Sequence, residues 1–294
     1  MGSTKKIPVY SIRSLQPEAL QRSDFLAAPF ALYLEQHYEH LHRPHRHSFY
    51  HMVLFTSGKG THTVDFSRFE VQPFQVYCMT PGQVHSWHFT SAVTGYVVNF
   101  SEHFFRDFLL NPYYPERFSF FSGVVDECVF RLPEALHTRI VRLLEDVIRY
   151  AGGEAPQQDM VRVWLLEVFL LMENGLTRRS TKAIPEQKKV LLQHLRRLID
   201  SNYKLMRLPK EYADLLYVTP NHLNALCRDL LGMTAGELIR NRVLLEAKRL
   251  LTNVNMTVAE IAYELDFQDN SYFNRFFKKY EGITPDAFRN NFLK

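Results

Sequence analysis

The sequence of 294 residues is poor in cysteine and tryptophan and has no long hydrophobic run. Its cysteines, Cys78, Cys128 and Cys227, include no CxxC pair, which argues against a disulfide framework and favours a reducing compartment, with each thiol buried in the core. No run of eighteen apolar residues is present, so no transmembrane helix is expected. The opening residues, MGSTKKIPVYSI, lack the apolar region of a secretory signal. Together these absences predict a cytoplasmic protein with no membrane partner.

Motifs of the common enzyme classes are also missing. The chain contains no G-x-S-x-G, no P-loop and no H-E-x-x-H. The expected function is therefore binding and not catalysis.

Charge is unevenly distributed along the chain. From residue 176 onward there are 20 Lys+Arg and 13 Asp+Glu, a net charge of +7, while the remainder (35−20=15 basic, 31−13=18 acidic) carries −3. A basic C-terminal part favours a polyanionic partner such as nucleic acid.

The length and the hydrophobic pattern predict two domains. Residues 32–100 contain short runs rich in Val, Phe, Tyr and Thr, such as HMVLFT and GYVVNF, separated by turn sequences, which indicates an antiparallel β-sandwich or barrel. Two apolar helices follow, the first ending at Gly152-Gly153 and the second at Gly175, and we expect them to form a dimer surface. The predicted boundaries are 1–176 for a sensing and dimerisation domain, 177–187 for a polar linker and 188–294 for a helical domain.

The helical domain contains a rough internal repeat. One copy is LPKEYADLLYVTPNHLNALCRDLLGMTAGELI, and the other is MTVAEIAYELDFQDNSYFNRFFKKYEGITPDAF. Thr219 and Pro220 have the spacing of an N-cap and first helical residue, and Thr257 and Glu260 that of a capping box. Two short helices joined by a tight turn, twice over, predict two helix-turn-helix motifs. Between them, AGELIRNRVLLEAKRLLTN predicts one linking helix about 25 Å long, a length that suits recognition helices about one turn of DNA apart.

The second helix of each repeat has one apolar and one polar face. The expected buried stripes are Leu223, Leu226, Cys227 and Leu230 in the first copy, and Phe273, Phe276, Phe277 and Tyr280 in the second. The polar faces suit bases in a major groove. We expect base contacts from Asn221, Asn224, Ala225, Asn270, Ser271, Asn274 and Arg275. Phosphate contacts are expected further along the same helices, from Arg228, Lys278 and Lys279.

The segment IAYELDFQDNSYFNRFFKKYEGITPDAFR resembles the signature of the AraC/XylS family of bacterial transcription regulators. The resemblance covers about 100 residues and implies the same base-facing positions. It departs at Asp266, where the family often has Gly, although Asp tolerates the left-handed turn. The implied partners are a double-stranded DNA operator, an unidentified small-molecule effector, a second copy of the chain, and RNA polymerase if the protein is an activator.

The N-terminal half resembles the cupin-like sensor domain of the same family, and it is rich in histidine. In HRPHRHSFYH, His45 and His47 match the H-x-H of metal cupins, His51 occupies the position of their acid, and His85 follows the turn Pro81-Gly82. Alternate residues of a strand share a face, so a site for a divalent metal is feasible. We nevertheless expect no cofactor and a barrel that folds without metal. A metal-sensing regulator and a metal-dependent cupin enzyme remain as alternatives.

The fold class that follows is multidomain α+β. It combines a cupin-like antiparallel β-barrel and its following helices with an all-α domain in which a linker helix joins two helix-turn-helix motifs.

Overall fold

The computed structural model describes residues 7–16, 24–106, 108–111, 114–151, 155–177, 185–253 and 255–292. These residues form two compact units, one drawn from Pro8–Lys182 and the other from Ala183–Lys294. Most of the predicted linker, residues 178–184, lies outside the described residues, as does the Gly-Gly pair expected to end the first of the two apolar helices. None of the helices in the described part of the chain is long and apolar enough to cross a membrane.

In the part of the N-terminal unit that the structure describes, two five-stranded sheets enclose a core. The first sheet has the order β1-β3-β8-β5-β6 and the second β10-β7-β4-β9-β2. Neighbouring strands are antiparallel except β1 and β3, which are parallel. The strands are β1 Val9–Tyr10, β2 Phe25–Pro29, β3 His45–His47, β4 Tyr50–Ser57, β5 Gly60–Val64, β6 Ser67–Glu70, β7 Gln75–Met79, β8 Val84–Phe89, β9 Thr94–Phe100 and β10 Val129–Arg131.

Alternation along the strands sends side chains to two different cores. On β4, Val53 and Phe55 belong to the core between the sheets, while Met52 and Leu54 belong to the core on the outer face of the second sheet. The interior core is strongly aromatic, and Trp87 lies within it. Most of the aromatic residues of this region therefore fill the core, as barrels of this size require.

Residues 32–41 were expected to be strand, and this prediction was wrong. They belong to helix α1, Phe30–Leu41. Phe30 and Tyr33, three positions apart, are both buried in the interior core, so the aromatic residues mark one face of a helix.

Helices α3 (His137–Tyr150) and α4 (Ala155–Thr177) cover the outer face of the second sheet. The described residues of this unit also form a short helix α2, Val125–Cys128, and 3-10 turns at Ile12–Leu15, Tyr114–Arg117, Ser119–Phe121 and Glu134–Leu136. The sequence predicts that the second apolar helix ends at Gly175, but α4 continues to Thr177. A Cβ at Gly175 would lie 3.1 Å from Leu136 Cδ1, so the glycine permits close packing within the helix and does not terminate it.

The C-terminal unit consists of seven helices in the described residues. They are α5 Glu186–Asn202, α6 Pro209–Leu215, α7 Pro220–Leu231, α8 Ala235–Leu251, α9 Val258–Glu264, α10 Asn270–Glu281 and α11 Pro285–Phe292. Helices α6–α7 and α9–α10 are the two helix-turn-helix motifs, and α8 joins them. Their apolar faces share one core.

Local chemistry explains where the helices of both motifs begin and turn. Thr219 accepts a hydrogen bond from the backbone N–H of His222 at 3.1 Å, and Thr257 forms the predicted capping box with Glu260. Tyr217 and Asp266 occupy equivalent turn positions with φ of 54° and 58°. Asp266 therefore adopts the left-handed conformation expected where the family often has glycine.

Helix α8 buries charged side chains as well as apolar ones. Among its leucine and isoleucine residues, Ile239 and Leu251 are buried, whereas Leu238, Leu244, Leu245 and Leu250 are only half-buried. Glu246 and Arg249 are buried instead, 3.6 Å apart, and Arg242 contacts Glu246 at 3.1 Å. Both pairs lie within α8 and offset part of the cost of burying these charges. Arg242 also bonds to Asp200 of α5 at 2.6 Å, which connects α8 to that helix.

Candidate nucleic-acid interface and histidine cluster

The recognition helix of the first motif, α7, presents a limited polar surface. Asn221 and Ala225 are exposed on the face opposite the buried Leu223 and Cys227. Asn224 is half-buried, and its Oδ1 accepts a hydrogen bond from the backbone N–H of Ala235 at 3.1 Å. Its side chain therefore caps the start of α8, and one lone pair of Oδ1 and the amide N–H groups remain for another partner.

The recognition helix of the second motif, α10, has a richer polar face. Ser271 and Arg275 are exposed. Asn274 and Asn270 are half-buried and bonded to each other, because Asn274 Nδ2 donates to Asn270 Oδ1 at 2.9 Å and to the Asn270 carbonyl at 2.8 Å. Asn274 therefore has its carbonyl oxygen available, whereas bidentate adenine recognition needs both oxygen and nitrogen.

Three residues assigned to the buried stripes lie closer to the surface than predicted. Phe273 and Phe277 are fully buried, but Tyr280 is 41% exposed and packs beneath the guanidinium of Arg240. Leu230 of α7 and Phe276 of α10 are half-buried. The buried stripe of each helix is thus narrower than its apolar sequence pattern.

The residues expected to contact phosphates are all exposed. Arg228 lies in the last turn of α7, and Lys278 and Lys279 lie in the last turn of α10. Cations near a helix C-terminus also interact favourably with the helix dipole. Sequence reasoning passed over His222 and Tyr272, which are exposed in the first turn of α7 and α10, where residues nearest to a groove usually lie.

The structure brings together three of the four predicted histidines. His45, His47 and His85 are buried, and each offers one ring nitrogen to a group whose atoms all lie within 4.8 Å of one another. His45 Nε2 and His47 Nε2 are 3.1 Å apart. His45 and His85 face each other because β3 and β8 pair in that register.

His51 lies beside this group of three but outside it. Its Nδ1 is 2.6 Å from Oδ1 of Asn99, on the neighbouring strand β9. A fifth histidine, His62, was missed from the sequence. Its Nε2 is 3.0 Å from His85 Nδ1. His62 and Val64 are alternate residues of β5 and share a face of the strand, so the inward position of Val64 could have identified His62 from the sequence.

All five histidines are held in the neutral form. Burial lowers the pKa of His45 to about 4 and that of His51 to about 3, and it lowers the pKa of His47, His62 and His85 well below the ordinary value. Desolvation disfavours the imidazolium ion, and each neighbouring ring that becomes charged adds repulsion. The cluster therefore presents uncharged nitrogen donors at neutral pH.

The cysteines lie outside this chemistry. All three are free and buried, as expected. Burial raises the pKa of the thiols, to about 12 for Cys128 and about 11 for Cys227, so they are inert at neutral pH.

Comparison with protein families matches both units of the chain. Residues 28–170 match the AraC-like ligand binding domain, and residues 212–291 match a helix-turn-helix domain. The chain belongs to the AraC family of transcription regulators. The AraC-type resemblance of the sequence is thereby confirmed, as is the function of a DNA-binding regulator with a ligand-binding domain.

Relatives of this AraC-family chain align over most of its length. The arabinose operon regulatory protein of Escherichia coli strain K12 is 25% identical over 246 residues, which is 82% of this chain and 80% of the relative. The transcriptional activator RhaR of Cronobacter sakazakii is 22% identical over 287 residues, covering 92% and 95%. Among solved structures, ToxT of Vibrio cholerae superposes with a TM-score of 0.43 at 13% identity, covering 91% of this chain and 98% of ToxT.

Proposed function

We propose that this AraC-family regulator binds a double-stranded DNA operator through α7 and α10, under the control of a small polar effector held in the N-terminal barrel. The observation that carries the proposal is the paired arrangement of α7 and α10, each N-capped, anchored by buried residues and exposed on its polar face. A helix of this kind fits the major groove. The protein would act in the cytoplasm, where its DNA is found.

Exposure and hydrogen bonding suggest which residues read bases. Arg275, Ser271 and Asn221 are exposed and thus free to approach a groove, and we assign them direct base contacts. Asn270, Asn274 and Asn224 are partly committed to bonds within the protein, so we assign them secondary contacts. Ala225 offers a methyl group for a thymine methyl. Arg228, Lys278 and Lys279 contact phosphates, which strengthens binding to all sequences alike.

Polar atoms inside the barrel support a polar effector. Among the described residues, Tyr77 Oη and Trp87 Nε1 are buried without a hydrogen-bond partner. Leaving such a group unsatisfied costs about 1–3 kcal/mol, so an effector with hydroxyl or carbonyl groups would gain by bonding to them. A sugar has this chemistry, and arabinose, which appears in the name of one relative, is a reasonable first candidate.

The second copy of the chain would pack on α4. Met160, Val163 and Leu170 lie on one face of this helix and are 45–47% exposed, while its opposite face is buried in the chain's own core. Unusual apolar exposure along one helical face suits an isologous dimer contact. Activation of transcription, the role named for RhaR, would then require a contact with RNA polymerase.

The test is selection of genomic DNA fragments by the purified full-length protein, with and without L-arabinose and a panel of other small polar molecules. We expect fragments that share one sequence motif, with an affinity that an effector changes. A matched variant with Arg275→Glu and Lys278→Glu should recover no motif, because it reverses charge on the exposed face of α10 without touching its core. Recovery of the same fragments by this variant would contradict the assignment of the interface.

A further inference from the structure

The hydrogen bonds around the histidine cluster determine where its lone pairs point. His45 Nδ1 lies 2.8 Å from the carbonyl oxygen of Arg43, which can only accept, so Nδ1 carries the proton. Because the ring is neutral, His45 Nε2 must carry a lone pair. That atom is 3.1 Å from His47 Nε2. Two ligand nitrogens on a tetrahedral zinc ion, with Zn–N of about 2.0–2.1 Å, would be about 3.3 Å apart.

The neighbouring histidines repeat this arrangement. His51 Nδ1 donates to Asn99 Oδ1, which leaves a lone pair on His51 Nε2. His85 Nδ1 bonds to His62 Nε2, so His85 Nε2 is the nitrogen that remains for a ligand. In the described part of the chain, Nε2 of His51 and Nε2 of His85 are buried with no hydrogen-bond partner. Metal-binding histidines characteristically use their second nitrogen in this way, which fixes the ring and its tautomer.

We propose that His45, His47 and His85 bind one divalent first-row transition metal ion through their Nε2 atoms, with His51 adjacent. Three neutral imidazoles without a carboxylate or thiolate suit Zn²⁺ and its neighbours Co²⁺ and Ni²⁺, and not Mg²⁺ or Ca²⁺, which prefer oxygen. Three protein ligands leave a coordination position for His51, for water or for an oxygen atom of the effector. This proposal differs from the sequence-based expectation of a barrel that folds without metal. It rests on the hydrogen bonds that orient the histidine rings, and the H-x-H pattern does not reveal these bonds.

The alternative explanation of the cluster is a set of hydrogen-bonding groups for an organic effector. That reading makes the 3.1 Å contact between His45 Nε2 and His47 Nε2 an ordinary N–H···N hydrogen bond. However, the ring nitrogens of His45, His47 and His85 lie within 4.8 Å of one another, a spacing that suits one ion and is too small to hold an organic molecule between them. Metal binding accounts for both features. The proposal is independent of DNA binding and can fail without affecting the proposed function.

Cobalt provides a direct test, because tetrahedral Co²⁺ with nitrogen ligands absorbs visible light and quenches nearby tryptophan. Untagged full-length protein carrying Trp164→Phe retains Trp87 as its only tryptophan, and that ring lies 5.1 Å from His85 between centroids. We expect one equivalent of Co²⁺ to produce a visible band and to quench Trp87. Zn²⁺ should displace the Co²⁺ and abolish the band, and it should raise the melting temperature in a manner that a chelator reverses.

Substitutions identify the ligands. His47→Gln and His85→Gln should each weaken binding at least about 100-fold, since even supporting residues around a metal contribute 10- to 100-fold. His88→Gln is the matched control, because His88 lies on the same strand as His85 but is exposed. Absence of saturable Co²⁺ binding, or equal loss in His88→Gln, would overturn the proposal. If a ligand variant does not fold, the quenching of Trp87 in the Trp164→Phe protein still tests the site. Co²⁺ that binds without quenching Trp87 would lie elsewhere, and this result would refute the proposed site.

Discussion

Replacing Arg275 should change which DNA sequences this regulator prefers while leaving its fold intact. Arg275 is exposed on α10, and that helix is anchored from its other side by Phe273 and Phe277, which are fully buried. The N-terminus of α10 is capped by Asp269, which accepts a hydrogen bond from the backbone N–H of Tyr272 at 2.5 Å. None of these supports involves the guanidinium group, so Arg275→Ala should melt as the parent protein does.

The expected magnitude follows from the chemistry of the contact. A bidentate bond from arginine to guanine contributes roughly 1–3 kcal/mol of discrimination, which corresponds to about 5- to 150-fold in affinity at one base pair. Arg275→Ala should therefore relax the preference at one position of the selected motif. Asn274→Ala should have a smaller effect, because both N–H groups of this side chain are already bonded to Asn270.

The assay is binding-site selection followed by fluorescence anisotropy at several salt concentrations. Arg275→Lys is the matched control, because it keeps the charge but loses the planar fork of donors. We expect Arg275→Lys to keep the salt dependence and to lose the base preference. The opposite result would be an unchanged motif for Arg275→Ala at fixed salt together with a relaxed motif for Asn274→Ala. It would refute the argument that Asn274 contributes less because its N–H groups are bonded to Asn270.

Three further outcomes are expected. Lys279→Ala should weaken binding to all sequences equally and lower the salt slope by about one unit, and a changed motif in anisotropy measurements would contradict a phosphate contact. Phe277→Ala should destabilise the C-terminal unit by about 3–5 kcal/mol, measured by chemical denaturation, because the fully buried ring would leave a cavity. The double variant Val163→Glu/Leu170→Glu should sediment as a monomer, because both substitutions place charge on the exposed face of α4. A dimer that persists in this variant would show that the dimer interface does not involve this face.

The helix-turn-helix motifs could be predicted from the sequence because their determinants are local. Thr219 and Thr257 cap helices through hydrogen bonds to residues three positions away. Each turn depends on one residue with a left-handed backbone conformation, Tyr217 in the first motif and Asp266 in the second. Interactions of this range are visible in a short window of sequence. The expected positions of both recognition helices follow from the same signals.

The features that sequence reasoning missed depend on distant residues. His51 pairs with Asn99, 48 positions away, and His62 pairs with His85 because β5 and β8 are adjacent. Asn224 is expected to contact bases, and its Oδ1 also caps a helix that begins eleven positions later. Such partners are fixed by strand register and helix packing, which residue spacing alone does not specify.

The two recognition helices should therefore contribute unequally to DNA recognition. On α7, the Asn224 side chain caps α8 and Ala225 offers only a methyl group, so we expect Asn221 to make most of the direct contacts. On α10, Arg275 and Ser271 are both exposed, and two lysines follow in its last turn. Helix α8 joins the two motifs as a single segment of 17 residues, about 25 Å long, with a buried charged group that includes Glu246. We expect a rigid link of this kind to let α10 select the sequence while α7 sets the position of the domain along the groove.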